Sequence, residues 1–306
     1  MSVVARNQFV STVAANVPLC AEHYRLVLSL PEFPATEPGQ FIQIACRDLA
    51  QDEAGEHDCE VEWQPGRTIE ICAADLASPA ALLRRPFSLA GRRNVTGGAG
   101  GRAGGGVELD IIHRVVGVGT DWLSRLTVGD HVGILGPLGN TFRLPMSQQT
   151  AVLVGGGVGI PPMLYLAEKL ANGPAVAFCG ALRRDLLPLT ITADADRAGN
   201  PSFCIDEFSR HGILSVITTD DGSYGFRGFV TQALERYLDS LGPHSSPLSP
   251  VIYTCGPELM MKRVADIAAA RGIECQIAVE RAMACGMGTC QSCCIKVRKP
   301  DPSKPP

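Results

Sequence analysis

Residues 150–171 have the sequence TAVLVGGGVGIPPMLYLAEKLA, which carries the clearest fold signal in the chain. The apolar run AVLV predicts a buried strand, the glycines predict a tight turn, and the apolar periodicity that follows predicts a helix. Further predicted strands and helices of the same kind follow in AVAFCGAL, ILSVITTDDGS, FVTQALERYLDSL and VIYTCGPELMMKRVADIAAARG. Strands that alternate with helices predict a parallel sheet with helices on both faces. We therefore expect a nucleotide-binding α/β domain over residues 148–276.

The chain before residue 148 has a different pattern. Short apolar segments separated by turn residues occur at 24–30, 39–46, 67–73, 86–91, 107–115 and 130–137. Such segments, with few helices between them, predict a small antiparallel β barrel over residues 1–147. An acidic stretch at 47–66 and a glycine-rich stretch at 96–106 interrupt the pattern. We interpret both as loop insertions that take no part in the chemistry.

Composition excludes several classes of function. A chain of 306 residues is long enough for two domains and a small appendage. Its net charge of −4 and its lack of a Lys/Arg run make nucleic acid an unexpected partner. No stretch approaches 18 uninterrupted apolar residues, and the first residues show no leader pattern, so we expect no membrane and a cytoplasmic location.

The cysteines are unevenly distributed. Eight of the 12 are scattered, whereas Cys285, Cys290, Cys293 and Cys294 lie within ten residues. The first three have the C-x4-C-x2-C spacing of plant-type [2Fe–2S] sites, with glycines between them. Structural zinc would need a second cysteine or histidine pair, and disulfides do not suit the expected compartment. Ordinary buried cysteines are the alternative to a cluster segment at 277–306.

The glycine turn is the first candidate binding site. Its glycines would let a pyrophosphate approach the backbone, and the helix start supplies unpaired N–H groups with a partial positive charge. Pro161 and Pro162 suit a first helical turn. The alternative is a strand-to-helix turn without a ligand, since the turn is not G-x-G-x-x-G and no acidic residue follows about 20 residues later. The candidate residues are Gly155, Gly156, Gly157 and Gly159.

Two further polar segments follow predicted parallel strands, at the carboxyl edge where ligands bind in such sheets. Asp220 and Asp221 could contact ribose hydroxyls, and their charge would disfavour a 2′-phosphate, which favours NAD over NADP. A solvated turn accounts for the pair equally well. Cys255 and Gly256 follow the strand VIYT, where a plain helix start is the alternative.

The barrel half contains two candidate flavin segments. In Arg85-Pro86-Phe87-Ser88, the arginine could hold a phosphate, the ring could cover a flavin and the hydroxyl could reach a ring nitrogen. A surface arginine beside an edge proline is the alternative. Gly119 and Thr120 lie in a glycine turn before the predicted helix DWLSRL, with Thr120 or Asp121 as its expected N-cap, and form a second phosphate cradle.

Several motifs together resemble the electron transfer subunits of class 1B dihydroorotate dehydrogenases, a ferredoxin-reductase-like family. They are RPFS, GVGT, ILGPLGNTF, GGGVGIPP, TDDGSYGFRGFVT, YTCGP and ERAMACGMGTCQSC. The resemblance implies a barrel that binds FAD, a domain that binds NAD, a [2Fe–2S] tail and an FMN-containing catalytic partner in a heterotetramer. It implies FAD contacts at Arg85, Pro86, Phe87, Ser88, Ile112, His113, Arg114, Gly119 and Thr120, and cluster ligands at Cys285, Cys290 and Cys293.

The resemblance also implies a route for electrons, from dihydroorotate at the partner's FMN through [2Fe–2S] and FAD to NAD⁺. No acid or base residue of this chain is required. One alternative is an NAD(P)H-dependent ferredoxin or sulfide reductase subunit, and another is a truncated, non-catalytic redox-binding module.

The family's fourth cluster cysteine follows a short hairpin, and this sequence ends in VRKPDPSKPP before it. We therefore expect an incomplete segment that holds its cluster weakly. Cys294 is expected to be buried rather than a ligand, because neighbouring residues in an extended segment point to opposite sides.

Overall fold

The computed structural model describes residues 7–48, 81, 83–96, 105–241, 249–284 and 289–297. The strand predicted at 67–73, most of the two insertions and Cys285 lie outside these residues.

Seven strands form the first sheet, and every pair in it is antiparallel. The strands are β1 (Gln8–Cys20), β2 (His23–Leu30), β3 (Phe41–Ile44), β4 (Arg85–Ser88), β5 (Gly91–Val95), β6 (Gly106–Arg114) and β7 (His131–Leu138). Their order is β4-β3-β7-β1-β2-β6-β5. Facing residues of β2 and β6, such as Leu26 opposite Ile111 and Leu28 opposite Leu109, fill the interior. Helix α1 (Val118–Ser124) lies between β6 and β7.

The second sheet has six parallel strands in the order β11-β10-β9-β8-β12-β13. They are β8 (Gln149–Gly156), β9 (Ala175–Ala181), β10 (Leu214–Thr219), β11 (Phe226–Arg227), β12 (Ser249–Cys255) and β13 (Glu274–Ala278). The helices are α2 (Ile160–Lys169), α3 (Asp206–Ser209), α4 (Val230–Ser240) and α5 (Glu258–Ala270). The predicted combination of an antiparallel and a parallel sheet is confirmed.

Alternate residues of the parallel strands face opposite helix layers. Leu153 and Ala177 pack in the core that contains α2 and α3, whereas Val154 and Phe178 pack in the core that contains α4 and α5. Both faces are buried, which explains why these strands are nearly continuous apolar runs. None of the helices in the described ranges is long and apolar enough to cross a membrane.

Contacts of two buried tyrosines help to hold the sheets together. Tyr165 of α2 enters the core of the antiparallel sheet, and its hydroxyl donates to the backbone oxygen of Thr36 at 2.7 Å. In the connection between the sheets, the Phe142 ring meets the Tyr253 ring edge-on with centroids 5.5 Å apart. The Tyr253 hydroxyl donates to the backbone oxygen of Arg143 at 2.8 Å. These contacts place the ends of β8 and β12 opposite the barrel and leave a cleft between them.

The glycine turn packs against the neighbouring strand end with no room for a side chain. A Cβ on Gly159 would lie 2.2 Å from the backbone oxygen of Cys255. Gly157 differs, since its φ is +54° but a Cβ there would meet nothing within 4 Å. Steric contact therefore requires glycine at 159, and backbone conformation favours it at 157.

Gly159→Ala and Gly157→Ala separate these two causes. We expect Gly159→Ala to lower the free energy of unfolding by roughly 3 kcal/mol or more, because the turn must shift away from Cys255. Gly157→Ala should cost only about 1 kcal/mol for its left-handed backbone. Urea denaturation of both variants measures the difference, and equal losses would contradict the steric argument.

Candidate functional site

A cleft of about 1840 Å³ lies between the two sheets and collects most of the predicted residues. It is lined on the barrel side by Arg85, Pro86, Phe87, Ser88, Ile112, His113, Arg114, Gly119 and Thr120. It is lined on the other side by Gly156, Gly157, Asp220, Cys255 and Gly256. Gly155, Gly159 and Asp221 are not among the lining residues. Elements far apart in sequence therefore converge on one cavity.

Strand β4 places the RPFS segment at the barrel edge of the cleft. It pairs with β3, so that Phe87 lies opposite Ile42 and Ser88 opposite Phe41. The Arg85 guanidinium donates to the backbone oxygen of Leu83 at 3.1 Å in an exposed position. A planar cation held at the rim in this way suits a bidentate contact with a phosphate.

The turn before α1 differs from the prediction. Gly117, not Thr120 or Asp121, is the N-cap. Thr120 is the third residue of the helix, and its hydroxyl accepts the Gly117 N–H at 3.1 Å. Gly119 is buried, and a Cβ there would lie 3.2 Å from that of Cys46. The N-cap prediction is wrong because the threonine hydroxyl caps from inside the helix.

His113 closes the barrel interior next to the cleft. The side chain is 2% exposed, and its ring lies 5.8 Å from that of Tyr24 and 6.1 Å from that of Phe87. Neither ring nitrogen has a hydrogen-bond partner among the described residues. Burial, and secondarily the charge of His23, lowers the pKa of His113 to about 4. The imidazole is therefore neutral near pH 7 and supports Phe87 as an aromatic wall.

The glycine turn divides into two roles. Gly156 and Gly157 line the cleft, and Gly157 faces open space. Gly155 and Gly159 only pack, since a Cβ on Gly155 would lie 3.0 Å from the Cα of Ile160, whereas Gly156 also packs, because a Cβ there would lie 2.6 Å from the Met260 sulfur. Pro161 and Pro162 occupy the first turn of α2, as predicted. Neither proline has an N–H group and the Ile160 N–H donates to the Gly157 oxygen, so the turn meets the cleft through the backbone of Gly156 and Gly157 and the positive end of the α2 dipole.

The two aspartates lie in different environments. Asp220 lines the cleft, where burial, followed by the charge of Asp221, raises its pKa. Asp221 accepts the Ser223 N–H at 2.9 Å, and hydrogen bonds from Ser223 lower its pKa. Asp221 lines a separate shallow pocket with Arg183 and Arg184. Only Asp220 is placed to meet a ligand in the cleft.

Cys255 is the buried last residue of β12. Burial, and then the charge of Glu280, raises the pKa of Cys255 to about 12, so that the thiol stays protonated. Gly256 follows at φ +146°, and a Cβ there would lie 2.8 Å from the Met260 Cε. Cys255 therefore contributes a neutral thiol to the cleft, and Gly256 allows the backbone beside it to pack closely against Met260.

The tail folds back over the same cleft. Residues 277–284, together with Ser292 and Ile295, line it. Cys290 is exposed and Cys293 partly buried. Cys290 directly precedes the turn that contains Cys293, in which the Cys294 N–H donates to the Gln291 oxygen at 3.1 Å. Two thiols this close in the chain suit the soft donor set of an iron–sulfur cluster. The described residues contain no metal-binding group of three, and Cys285 lies outside them.

Cys294 is exposed, so its predicted burial is wrong. The prediction assumed an extended segment, whereas the chain turns after Gln291, whose φ is +58°. The turn presents Cys294 to solvent.

Sequence reasoning missed several residues that line the cleft. Leu182 and Phe229 are large apolar side chains that remain 55% and 60% exposed at its rim. Each follows a strand at the carboxyl edge of the parallel sheet, and that position was the available signal. His23 and the tail residues before the cysteines gave no sequence signal.

Comparisons with known proteins agree with this geometry. Residues 280–304 match the family model of the iron–sulfur cluster binding domain of dihydroorotate dehydrogenase B. A dihydroorotate dehydrogenase B (NAD⁺) electron transfer subunit from Desulforamulus reducens is 31% identical over 236 residues, which cover 76% of this chain and 77% of the relative. The corresponding subunit from Geobacillus thermodenitrificans is 35% identical and covers 76% of this chain and 78% of its own. The chain belongs to the family of dihydroorotate dehydrogenase B electron transfer subunits.

Solved structures extend the likeness to the whole fold. The structure of an NADH-dependent reduced ferredoxin-NADP oxidoreductase aligns with a TM-score of 0.62 at 23% identity, covering 96% of this chain and 83% of its own. The flavohem-like FAD/NAD binding domain of a nitric oxide dioxygenase from Vibrio cholerae aligns with a TM-score of 0.57 at 17% identity. The alignment covers 89% of this chain and 99% of that domain. The predicted ferredoxin-reductase-like fold is confirmed.

Family membership also confirms the broader predictions. The chain is an electron transfer subunit of a flavin-dependent NAD oxidoreductase with FAD, [2Fe–2S] and NAD as its cofactors, and the relatives are subunits of dihydroorotate dehydrogenase B.

Burial of His113 predicts a pH dependence of stability. Its pKa is about 4 in the folded chain against 6.5 for an ordinary histidine, so the unfolded chain binds the extra proton between these values. The contribution of neutral His113 to the free energy of unfolding is fully present above pH 6.5. It decreases by up to about 3 kcal/mol as the pH falls towards 4. Unfolding midpoints from pH 7 to 4 should fall less in His113→Phe than in wild type. His131→Asn, which removes an exposed imidazole, is the control, and an unchanged slope in His113→Phe would refute the assignment.

Proposed function

We propose that this chain holds FAD against the barrel face of the cleft and NAD(H) against the parallel-sheet face, and so passes electrons from a catalytic partner to NAD⁺. The convergence of the RPFS strand, both glycine turns and the Cys255 edge on one cavity supports this proposal. The boundaries 1–147, 148–276 and 277–306 divide the chain into the FAD, NAD and cluster parts. A heterotetramer in the cytoplasm is the proposed assembly and location.

On the FAD side, Arg85 would hold the flavin nucleotide's phosphates with its guanidinium, and Phe87 would cover the ring system. Ser88 would offer its hydroxyl, and Gly119 and Thr120 would bring backbone N–H groups towards the pyrophosphate. Bound FAD supplies the exchange between single electrons and a hydride. The barrel side of the FAD subsite would be completed by Ile112, His113 and Arg114.

On the NAD side, Gly156 and Gly157 would admit the pyrophosphate to the start of α2. Asp220 would accept ribose hydroxyls, and the neutral thiol of Cys255 would lie beside the nicotinamide. Gly155 and Gly159 would support this subsite through packing, and Asp221 through its position beside Asp220. No group of this chain would need to transfer a proton, since the named residues bind and orient.

The tail would hold the cluster through Cys290 and Cys293, with Cys285 as the third ligand by its spacing. A cluster supplies one-electron steps between the partner and the flavin.

Flavin binding by the isolated chain tests the proposal. We expect protein purified without oxygen to contain FAD and to lose the flavin absorbance at about 450 nm when NADH is added. Arg85→Ala should weaken FAD binding about tenfold because a phosphate contact is lost. Arg93→Ala, which removes an exposed arginine paired with Glu108, is the matched control. Protein that stays colourless after FAD is added would overturn the proposal.

The charge of Asp220 should determine the choice of nucleotide. Asp220→Asn should raise kcat/KM for NADPH relative to NADH roughly tenfold, because a carboxylate in the cleft repels a 2′-phosphate. Asp221→Asn removes the same charge outside the cleft and should have a smaller effect. Steady-state kinetics with both nucleotides measure the ratios, and equal effects would show that Asp220 has no special role.

A further inference from the structure

Ser292 lies between the two described cluster cysteines, in the segment Cys290-Gln291-Ser292-Cys293. Its hydroxyl oxygen lies 3.2 Å from the Cys290 sulfur and accepts the Ala284 N–H at 3.2 Å. The side chain therefore connects the backbone before the cysteines to one of the expected ligands.

The chemistry of a cluster ligand determines the direction of this contact. A cysteine bound to iron is a thiolate with no proton to donate, so the hydroxyl must donate to the sulfur. The Ala284 N–H occupies a lone pair of the hydroxyl oxygen and leaves its hydrogen available for the sulfur. A hydroxyl polarised by one N–H is also a better donor.

The backbone turn at Gln291 brings the Ser292 hydroxyl into contact with Cys290. Gln291 has a left-handed φ of +58°, which is uncommon for a residue with a side chain. The Cys294 N–H closes the turn on the Gln291 oxygen at 3.1 Å. The turn brings the Ser292 hydroxyl back towards Cys290, and Ser292 also lines the flavin cleft.

We propose that Ser292 is a positioning residue that holds the Cys290 thiolate and raises the reduction potential of the cluster. The reduced cluster carries one more negative charge than the oxidised cluster, and part of that charge lies on its sulfur ligands. A hydrogen bond to a sulfur therefore stabilises the reduced form more than the oxidised form. This inference rests on the proposed cluster function of the tail.

The test uses the complex of this chain with its catalytic subunit, prepared without oxygen. Redox titration followed by electron paramagnetic resonance gives the midpoint potential of the [2Fe–2S] couple, a one-electron reduction. Ser292→Val and Ser292→Thr form a matched pair of equal shape, of which only threonine keeps a hydroxyl. We expect Ser292→Val to lower the equilibrium constant for cluster reduction roughly tenfold, which is about 59 mV for one electron. Ser292→Thr should stay close to wild type, and the flavin potential should not change in either variant.

The outcomes separate this inference from the proposed function. Absence of a [2Fe–2S] signal in the wild-type complex would overturn both. A normal wild-type signal with equal potentials in the valine and threonine variants would overturn the role of Ser292 alone, as would an equally large decrease in both. Loss of iron from the valine variant but not from the threonine variant would support the hydroxyl's role in holding the Cys290 sulfur.

Discussion

Backbone contact between Gly159 and Cys255 is the constraint on which the site depends. Strands β8 and β12 are neighbours, with Gly155 opposite Cys255, so the turns that follow them must share the same space. A Cβ on Gly159 would lie 2.2 Å from the Cys255 oxygen, which leaves no side chain that fits. The packed turn exposes Gly156 and Gly157 to the cleft and fixes the start of α2. The binding surface is therefore a consequence of how two strand ends pack.

Burial biases several polar groups of the cleft towards their neutral forms. It lowers the pKa of His113 to about 4 and raises that of Cys255 to about 12, and it also raises the pKa of Asp220. Low polarity around these groups is suited to flat, largely apolar rings such as flavin and nicotinamide. Charged side chains also line the cleft, and among them Arg85 would bind phosphates and Asp220 would bind ribose hydroxyls. Charged groups would therefore bind the polar parts of the nucleotides, whereas neutral groups would surround the rings that exchange electrons.

Sequence patterns identified the elements that carry strong local signals. The buried parallel strands and the glycine turn were predictable because a continuous apolar run between turn residues fits a strand covered on both faces, and clustered glycines fit a tight turn. Strand β1 was not predicted because small and polar residues and Pro18 interrupt its apolar pattern, and β5 (GRRNV) has no apolar run. Asp220 and Asp221 are indistinguishable in sequence, whereas in the structure Asp220 lines the cleft and Asp221 lies outside it, hydrogen-bonded to Ser223. Long-range packing, which determines the lining of a cleft, leaves no local pattern.

The position of the tail follows from the register of the parallel sheet. An exposed ion pair joins Arg281 to Glu258 at 3.3 Å, but such pairs contribute less than about 1 kcal/mol. Strand β13 provides a stronger constraint, because its last residue, Ala278, lies directly opposite Cys255. The chain must therefore leave the sheet beside the nucleotide edge, and the residues after Ala278 enter the cleft. A shift of one residue in this register would turn the side chains of β13 to the opposite face and move the point of exit. Pairing of β13 with β12 therefore places the segment that carries the cysteines near the cleft, independently of the contacts that the segment itself makes.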